Sequence, residues 1–213
     1  MIIKRVLVYC IGLFFMAMGV TFSVKSNLGV SPVNSIPYVI SVITGINQGL
    51  WVSIIFSSYI GLQYFILRKD FKLHSLLQIV FASIFGYFVS FTNTIFYFQS
   101  PTPYILKLGL IGISMICMAV GIFLHLEAKI IPMPPEGVML AIKQKTKFEF
   151  HNIKIGFDTV AVLTSCLISF IFLRKIIGAR EGTLMAALFI GKIIGFLPVI
   201  FPKQIQALRE WVK

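Results

Sequence analysis

Residues 6–24 read Val-Leu-Val-Tyr-Cys-Ile-Gly-Leu-Phe-Phe-Met-Ala-Met-Gly-Val-Thr-Phe-Ser-Val, without a single charge. An α-helix needs about 20 mostly apolar residues to cross a bilayer, and this stretch supplies them between Lys4-Arg5 and Lys25. Part of it returns later in the chain: Met16-Ala17-Met18-Gly19-Val20 is echoed by Met118-Ala119-Val120-Gly121-Ile122. A membrane-crossing helix that occurs twice predicts a polytopic helical protein assembled from two copies of one plan.

The composition agrees. Of 213 residues, 58% are hydrophobic and 12% charged, with a mean hydropathy of +0.94. Soluble domains carry about 45–50% apolar and about 25% charged residues, so the excess must face lipid. The net charge of +12 lies at the ends of apolar segments, as in Lys4-Arg5, Arg68-Lys69 and Arg174-Lys175. That is the pattern of loops and lipid headgroups and excludes nucleic acid as the reason for the charge. Cys10, Cys117 and Cys166 lie inside apolar stretches with no zinc-site spacing and read as small packing residues. No small-x-small cleavage site follows the first apolar run, which is therefore read as an uncleaved span.

Six segments are predicted to span: 6–24, 50–67, 76–98, 104–126, 153–173 and 184–201, the last interrupted by Lys192 and Pro198. Two shorter stretches, 29–44 and 132–145, open on Gly29-Val-Ser31-Pro32-Val-Asn34 and Pro132-Met-Pro134-Pro135-Glu136-Gly137. Proline in a first helical turn marks a helix start, so each is read as a half-helix that re-enters the membrane or lies at its surface. Counting Lys and Arg on each side favours both termini in the cytoplasm, with Arg174, Lys175 and Arg180 as an outside group against the rule. The tail 203–213 puts Ile205, Leu208 and Val212 on one helical face beside Trp211, as an interfacial helix would.

An offset of 102 aligns Ile11 with Ile113, Pro32 with Pro134, Asn34 with Glu136 and Thr44 with Thr146; an offset of 106 then aligns Leu67-Arg68-Lys69 with Leu173-Arg174-Lys175. The expected halves are residues 1–102 and 103–202, each a span, a Pro-led half-helix and two more spans. Three spans per half is odd, so the second copy is expected upside down, the arrangement of many secondary transporters. Full spanning by the half-helices would instead make the repeat parallel. Inversion also accounts for Arg174-Lys175 lying outside, as the duplicate of an inside pair.

Several of these stretches form a further pattern: Lys25-Ser-Asn27-Leu-Gly29-Val-Ser-Pro32, Ile131-Pro-Met-Pro-Pro-Glu136-Gly137, Ile155-Gly-Phe-Asp158 and Ile177-Gly-Ala-Arg180-Glu181-Gly182-Thr183. Over nearly its whole length the chain resembles the YczE/YyaS/YitT family of bacterial membrane proteins. The resemblance implies a bacterial plasma-membrane protein and carries over no substrate and no catalytic residue. Asn34, where a carboxylate is usual, and Lys192 depart from the family's pattern, and the first half-helix without its acid implies an altered ligand or coupling ion.

Ionisable groups at membrane depth cost about 2.5–3.5 kcal/mol on insertion scales and are candidates for function. Asp158 and Lys192 are read as a coupling pair, or else as a structural one with a snorkelling Lys192. Glu136, with Asn34, Ser31, Pro32, Pro134 and Gly137, stands at the half-helix starts and is expected to bind a substrate, proton or cation; a helix-capping acid is the plain alternative. Arg180, Glu181 and Thr183 form either a gate or a helix cap with an ion pair. His125 and Glu127 close the fourth span as a relay or a water boundary.

No phosphate loop, metal spacing or nucleophile set is present, so neither an enzyme, a cofactor nor a metal is expected. The reading is an all-α membrane protein that transports or binds a small molecule or ion where the repeats meet. The alternative is a substrate-binding or accessory subunit of a larger complex, with a homo-oligomer or an importer as partner and Ala17 and Gly19 as docking residues.

Overall fold

The computed structural model describes residues 2–148 and 150–212, the side chains of residues 150, 151 and 212 excepted. All regular structure among them is helical, two short 3-10 turns (Arg68–Asp70 and Leu73–Leu77) and the α-helices α1 (Ile2–Ser26), α2 (Pro32–Thr44), α3 (Gln48–Leu67), α4 (Gln78–Ile95), α5 (Tyr104–Glu127), α6 (Pro134–Lys145), α7 (Phe150–Leu173), α8 (Glu181–Ile200) and α9 (Pro202–Val212). Six of these, α1, α3, α4, α5, α7 and α8, are long and apolar enough to cross a membrane. The 13 residues of α2 and the 12 of α6 reach only about 20 Å at the α-helical rise, short of the roughly 30 Å hydrocarbon core. They differ in character: α2 is predominantly apolar and uncharged, whereas α6 ends in Lys143 and Lys145.

The chain folds as two compact units, residues 1–31, 91–130 and 180–213 forming one and residues 32–90 and 131–179 the other. Each sequence half contributes to both.

In the first unit α1 packs along α5, and the two run antiparallel. Tyr9 meets the ring of His125 at 4.8 Å, Gly12 lies on Gly121, and Gly19 lies on Ser114 and Met118. The approach is so close that a Cβ on Gly12 would stand 2.8 Å from the Gly121 carbonyl oxygen, and one on Gly121 2.6 Å from that of Gly12. The Ser114 hydroxyl donates to the Gly19 carbonyl at 2.7 Å, and Thr21 and Thr92 share a hydrogen bond at 2.8 Å. Small residues that admit a neighbouring backbone are how membrane helices associate, since leaving lipid gains an apolar side chain little. Ala17 is fully buried, so it and Gly19 serve this internal packing.

The turn after α1 is held by its own side chains: Ser23 donates to the Gly29 carbonyl at 2.8 Å, and Asn27 (φ 55°) and Gly29 (φ 112°) take left-handed backbone. That turn buries Leu28 against Ile111 and Met115, with Met185 and Ile190 of α8 around them. At the other end of the unit α9 is tied down. Arg209 donates to both Glu127 carboxylate oxygens, at 2.6 and 3.0 Å, and Lys4 lies 5.2 Å from the centre of the Trp211 ring. The Glu127 carboxylate raises the Arg209 pKa above the usual arginine value, so the guanidinium stays charged at any working pH.

In the second unit α2 packs on α7 and α3 on α6. α3 and α4 meet at Gly49 and Gly86, where Ser53 and Ser90 sit in the space a Cβ would need. Phe56 stacks on the buried Phe85 at 5.7 Å, an aromatic pair worth about 0.5–1.5 kcal/mol beyond its burial.

The α1–α5 contact yields a direct expectation. Gly121→Leu should overpack it and lower stability by at least about 1–3 kcal/mol, whereas Gly109→Leu, whose Cβ meets nothing within 4 Å, should be neutral. Thermal unfolding of the two variants in mild detergent measures the difference; equal melting points would remove the close approach as a source of stability.

Candidate functional site

Both Pro-led helices belong to the second unit, and their starts are well satisfied. Pro32 and Pro134 occupy first-turn positions where the missing N–H costs nothing. At α2 the Ser35 hydroxyl donates to the Pro32 carbonyl at 2.6 Å and lies 3.4 Å from the Ala161 carbonyl of α7. Asn34 is buried beside it, at 3% exposure. At α6 the Glu136 carboxylate accepts the Met133 backbone N–H at 3.2 Å, the capping geometry. Gly137 lies directly on the amide of Gln63, where a Cβ would come within 2.6–2.7 Å. That amide donates to the Pro134 carbonyl at 3.1 Å and to Gln78 Oε1 at 2.8 Å, while Gln78 returns a bond to Gln63 Oε1 at 3.3 Å. Both glutamines are 2% exposed.

One turn beyond these starts the helices flank a cavity of about 540 Å³. Ile36 comes from α2, Tyr59 and Leu62 from α3, Val138 and Ile142 from α6, and α7 contributes a face that includes Asn152, Gly156, Phe157 and Thr164. The volume suits a small-molecule site, typically about 300–1,000 Å³. The lining is almost wholly apolar. The Tyr59 ring stands edge-on to Phe157 at 5.5 Å, and a Cβ on Gly156 would meet nothing.

Asp158 follows Phe157 and lies close enough to Tyr59 to act on its hydroxyl electrostatically. Its Oδ2 takes a bond from Lys154 at 2.9 Å, one helical turn back; its Oδ1 is buried, and no described residue donates to it. The side chain is 14% exposed against 47% for Lys154. Lys192 belongs to the first unit, where its ammonium lies 5.6 Å from the centre of the Phe189 ring. Asp158 and Lys192 thus each have a partner within their own unit.

Arg180, Glu181 and Thr183 also come together in the first unit. The guanidinium donates to the Asn27 carbonyl at 3.1 Å and to Glu181 at 3.3 and 3.4 Å; the Thr183 hydroxyl accepts the Arg180 N–H at 3.3 Å. The Gly182 N–H reaches the Leu28 carbonyl at 2.7 Å. These bonds cap α8 and latch it to the turn after α1. Ser31 closes that turn and is buried. Glu127 is the partner of Arg209, and His125 that of Tyr9. Among the described residues no group of His, Cys, Asp and Glu is arranged to hold a metal.

Sequence reasoning did not single out Gln63, Gln78 or Tyr59. The available signal is two uncharged amides, Gln63 and Gln78, in otherwise apolar spans.

With its six apolar helices the protein is a multi-pass membrane protein of all-α class. The chain belongs to DUF6198, a family of unknown function whose model matches residues 3–198. No curated protein and no solved structure matches the chain.

The amide pair gives a second expectation. Gln63→Leu strands the buried Gln78 amide and should cost about 1–3 kcal/mol. Gln63→Leu with Gln78→Leu should cost less than the two single changes summed. Thermal unfolding of the four proteins in detergent decides; strict additivity would mean that the two amides do not act together.

Proposed function

We propose that the protein binds a small molecule in the cavity of the second unit and moves it across a bacterial plasma membrane as a secondary transporter. The observation that carries this reading is the origin of the walls: α2 and α3 come from the first sequence repeat, α6 and α7 from the second. A site formed where two repeats meet is the arrangement of repeat-built transporters. Ser31, Pro32 and Asn34 at the start of α2, and Pro134, Glu136 and Gly137 at the start of α6, then position the helices whose next turns line the site. Asp158, which follows the lining residue Phe157 without lining the cavity itself, is the group that couples charge to the movement. The latch of Arg180, Glu181 and Thr183 anchors α8 in the other unit.

Inversion of the repeats is part of the proposal. Its support is the α1–α5 pairing, in which the contact of Gly12 with Gly121 is answered by that of their repeat mates, Ser114 with Gly19. Met16 on Gly121 is answered in the same way by Met118 on Gly19. Equivalent helices that pack antiparallel through equivalent residues are related by a twofold axis across them. With the N-terminus inside, Lys69 then lies in the cytoplasm and its mate Lys175 outside.

Two experiments test the proposal. Mass spectrometry of gently purified protein should find a small molecule that Gly156→Phe, which fills the cavity, no longer retains; the same retained molecules in both samples would overturn the binding site. Single cysteines replacing Lys69 and Lys175, in a background lacking the three native cysteines, should be labelled from opposite faces of the membrane. Labelling from one face would make the repeat parallel.

A further inference from the structure

We infer that the cavity's ligand is a lipophilic cation, an apolar or aromatic body carrying an ammonium or other onium charge, whose charge is taken by Asp158 in exchange for Lys154. This rests on the reading of the cavity as a binding site and goes beyond it by naming the ligand's chemistry.

The first line of argument is the lining. Aliphatic side chains and the rings of Tyr59, Phe157 and Phe148 surround the space, while Asn152 and Thr164 supply its few polar atoms besides the Tyr59 hydroxyl. Such a surface does not replace the hydration shell of a metal ion or a sugar. It receives an apolar body, and aromatic faces also attract a diffuse positive charge.

The second line is an anomaly in Asp158. Buried carboxylate oxygens are normally hydrogen-bonded, yet Oδ1 of Asp158 is buried with no donor among the described residues, while Oδ2 is held by Lys154. The carboxylate therefore has acceptor capacity to spare next to the aromatic wall formed by Tyr59 and Phe157.

The third line is the weakness of the existing partner. Lys154 is nearly half exposed, and the pair has its cation N-terminal to its anion, the less favourable order for an i, i+4 pair. Lys154 is thus a tethered competitor. It neutralises Asp158 while the site is empty and swings towards water when a cationic ligand arrives.

A competitor built into the protein predicts a gain of affinity on its removal, because the binding-competent fraction rises. The probes are tetraphenylphosphonium, a lipophilic cation, and tetraphenylborate, an anion of nearly the same shape, measured by equilibrium dialysis against the full-length protein in detergent. The wild type should bind the cation in preference to the anion. Asp158→Asn should weaken cation binding about tenfold or more and leave the anion unaffected, and Lys154→Ala should tighten cation binding about three- to tenfold. A gain cannot arise from misfolding, so the second variant guards the first. Equal binding of the two probes, an indifferent Asp158→Asn, or weaker cation binding in Lys154→Ala would each overturn the inference. Gly156→Phe separates the two levels of the argument. Loss of both probes in that variant without any preference for the cation leaves the cavity as a site and discards the cationic ligand; unchanged binding of both discards the cavity as well.

Discussion

The backbone-to-backbone approach of α1 and α5 is the constraint on which the first unit depends. In lipid an apolar side chain gains little by turning inward, so helices adhere where small residues let main chains come close and where hydroxyls bridge them. Gly12, Gly19 and Gly121 supply the first condition and Ser114 the second. Three of these four positions are glycine, and the fourth is the smallest residue that also carries a donor. The substitution is conservative in space and adds a hydrogen bond at one of the two equivalent crossings. The two Met-Ala-x-Gly segments, residues 16–19 and 118–121, both lie in this contact, so small residues are needed at both of its levels.

The second unit meets a different constraint. Helices of 12 and 13 residues are too short to cross a bilayer, and the buried polar groups at their starts cost free energy unless bonded. The arrangement at α6 answers this group by group. Two prolines open the helix, Glu136 covers the Met133 N–H, and the Gln63–Gln78 pair carries the Pro134 carbonyl. Gly137 completes it by leaving room for the Gln63 amide. At α2 the short hydroxyl of Ser35 turns back on the Pro32 carbonyl. The two starts are equivalent in the sequence and solved by different side chains, so only the prolines betray their kinship.

The features legible in the sequence were those that local chemistry enforces. Spans follow from apolar length, the starts of α2 and α6 from proline, and the cap of α8 from Arg-Glu-Gly-Thr, whose bonds all lie within a few residues apart from those to the turn after α1. The repeat was legible because only small residues fit where the backbones of α1 and α5 touch: Gly12, Gly19, Gly121 and Ser114. The cavity was not, since it is a property of how α2, α3, α6 and α7 fill space together. Asp158 shows the intermediate case. Its place inside an apolar span is legible in the sequence, whereas its partner in the structure is Lys154, one turn away on the same helix, and not the Lys192 expected from a neighbouring span. Local i, i+4 partners need no tertiary coincidence and merit first consideration.

On the proposed reading, in which the protein carries a cation and Asp158 takes its charge, the cost of charge at depth gives a reason for keeping Lys154 beside that carboxylate. An uncompensated carboxylate in the hydrocarbon region costs about 2.5–3.5 kcal/mol even on the lenient insertion scales. A carrier of cations must pass through an empty state on its return, and in that state the bare acid would oppose the movement by that amount. In the proposed cycle Lys154 would remove the opposition without a second ligand, and its side chain, 47% exposed, has a path to water. The site is then close to neutral both loaded and empty, so neither conformation is trapped by its own charge. On the proposed reading, the modest strength of the Lys154–Asp158 pair is what allows the cycle to turn: a tighter pair would exclude the ligand, and no pair would strand the empty carrier.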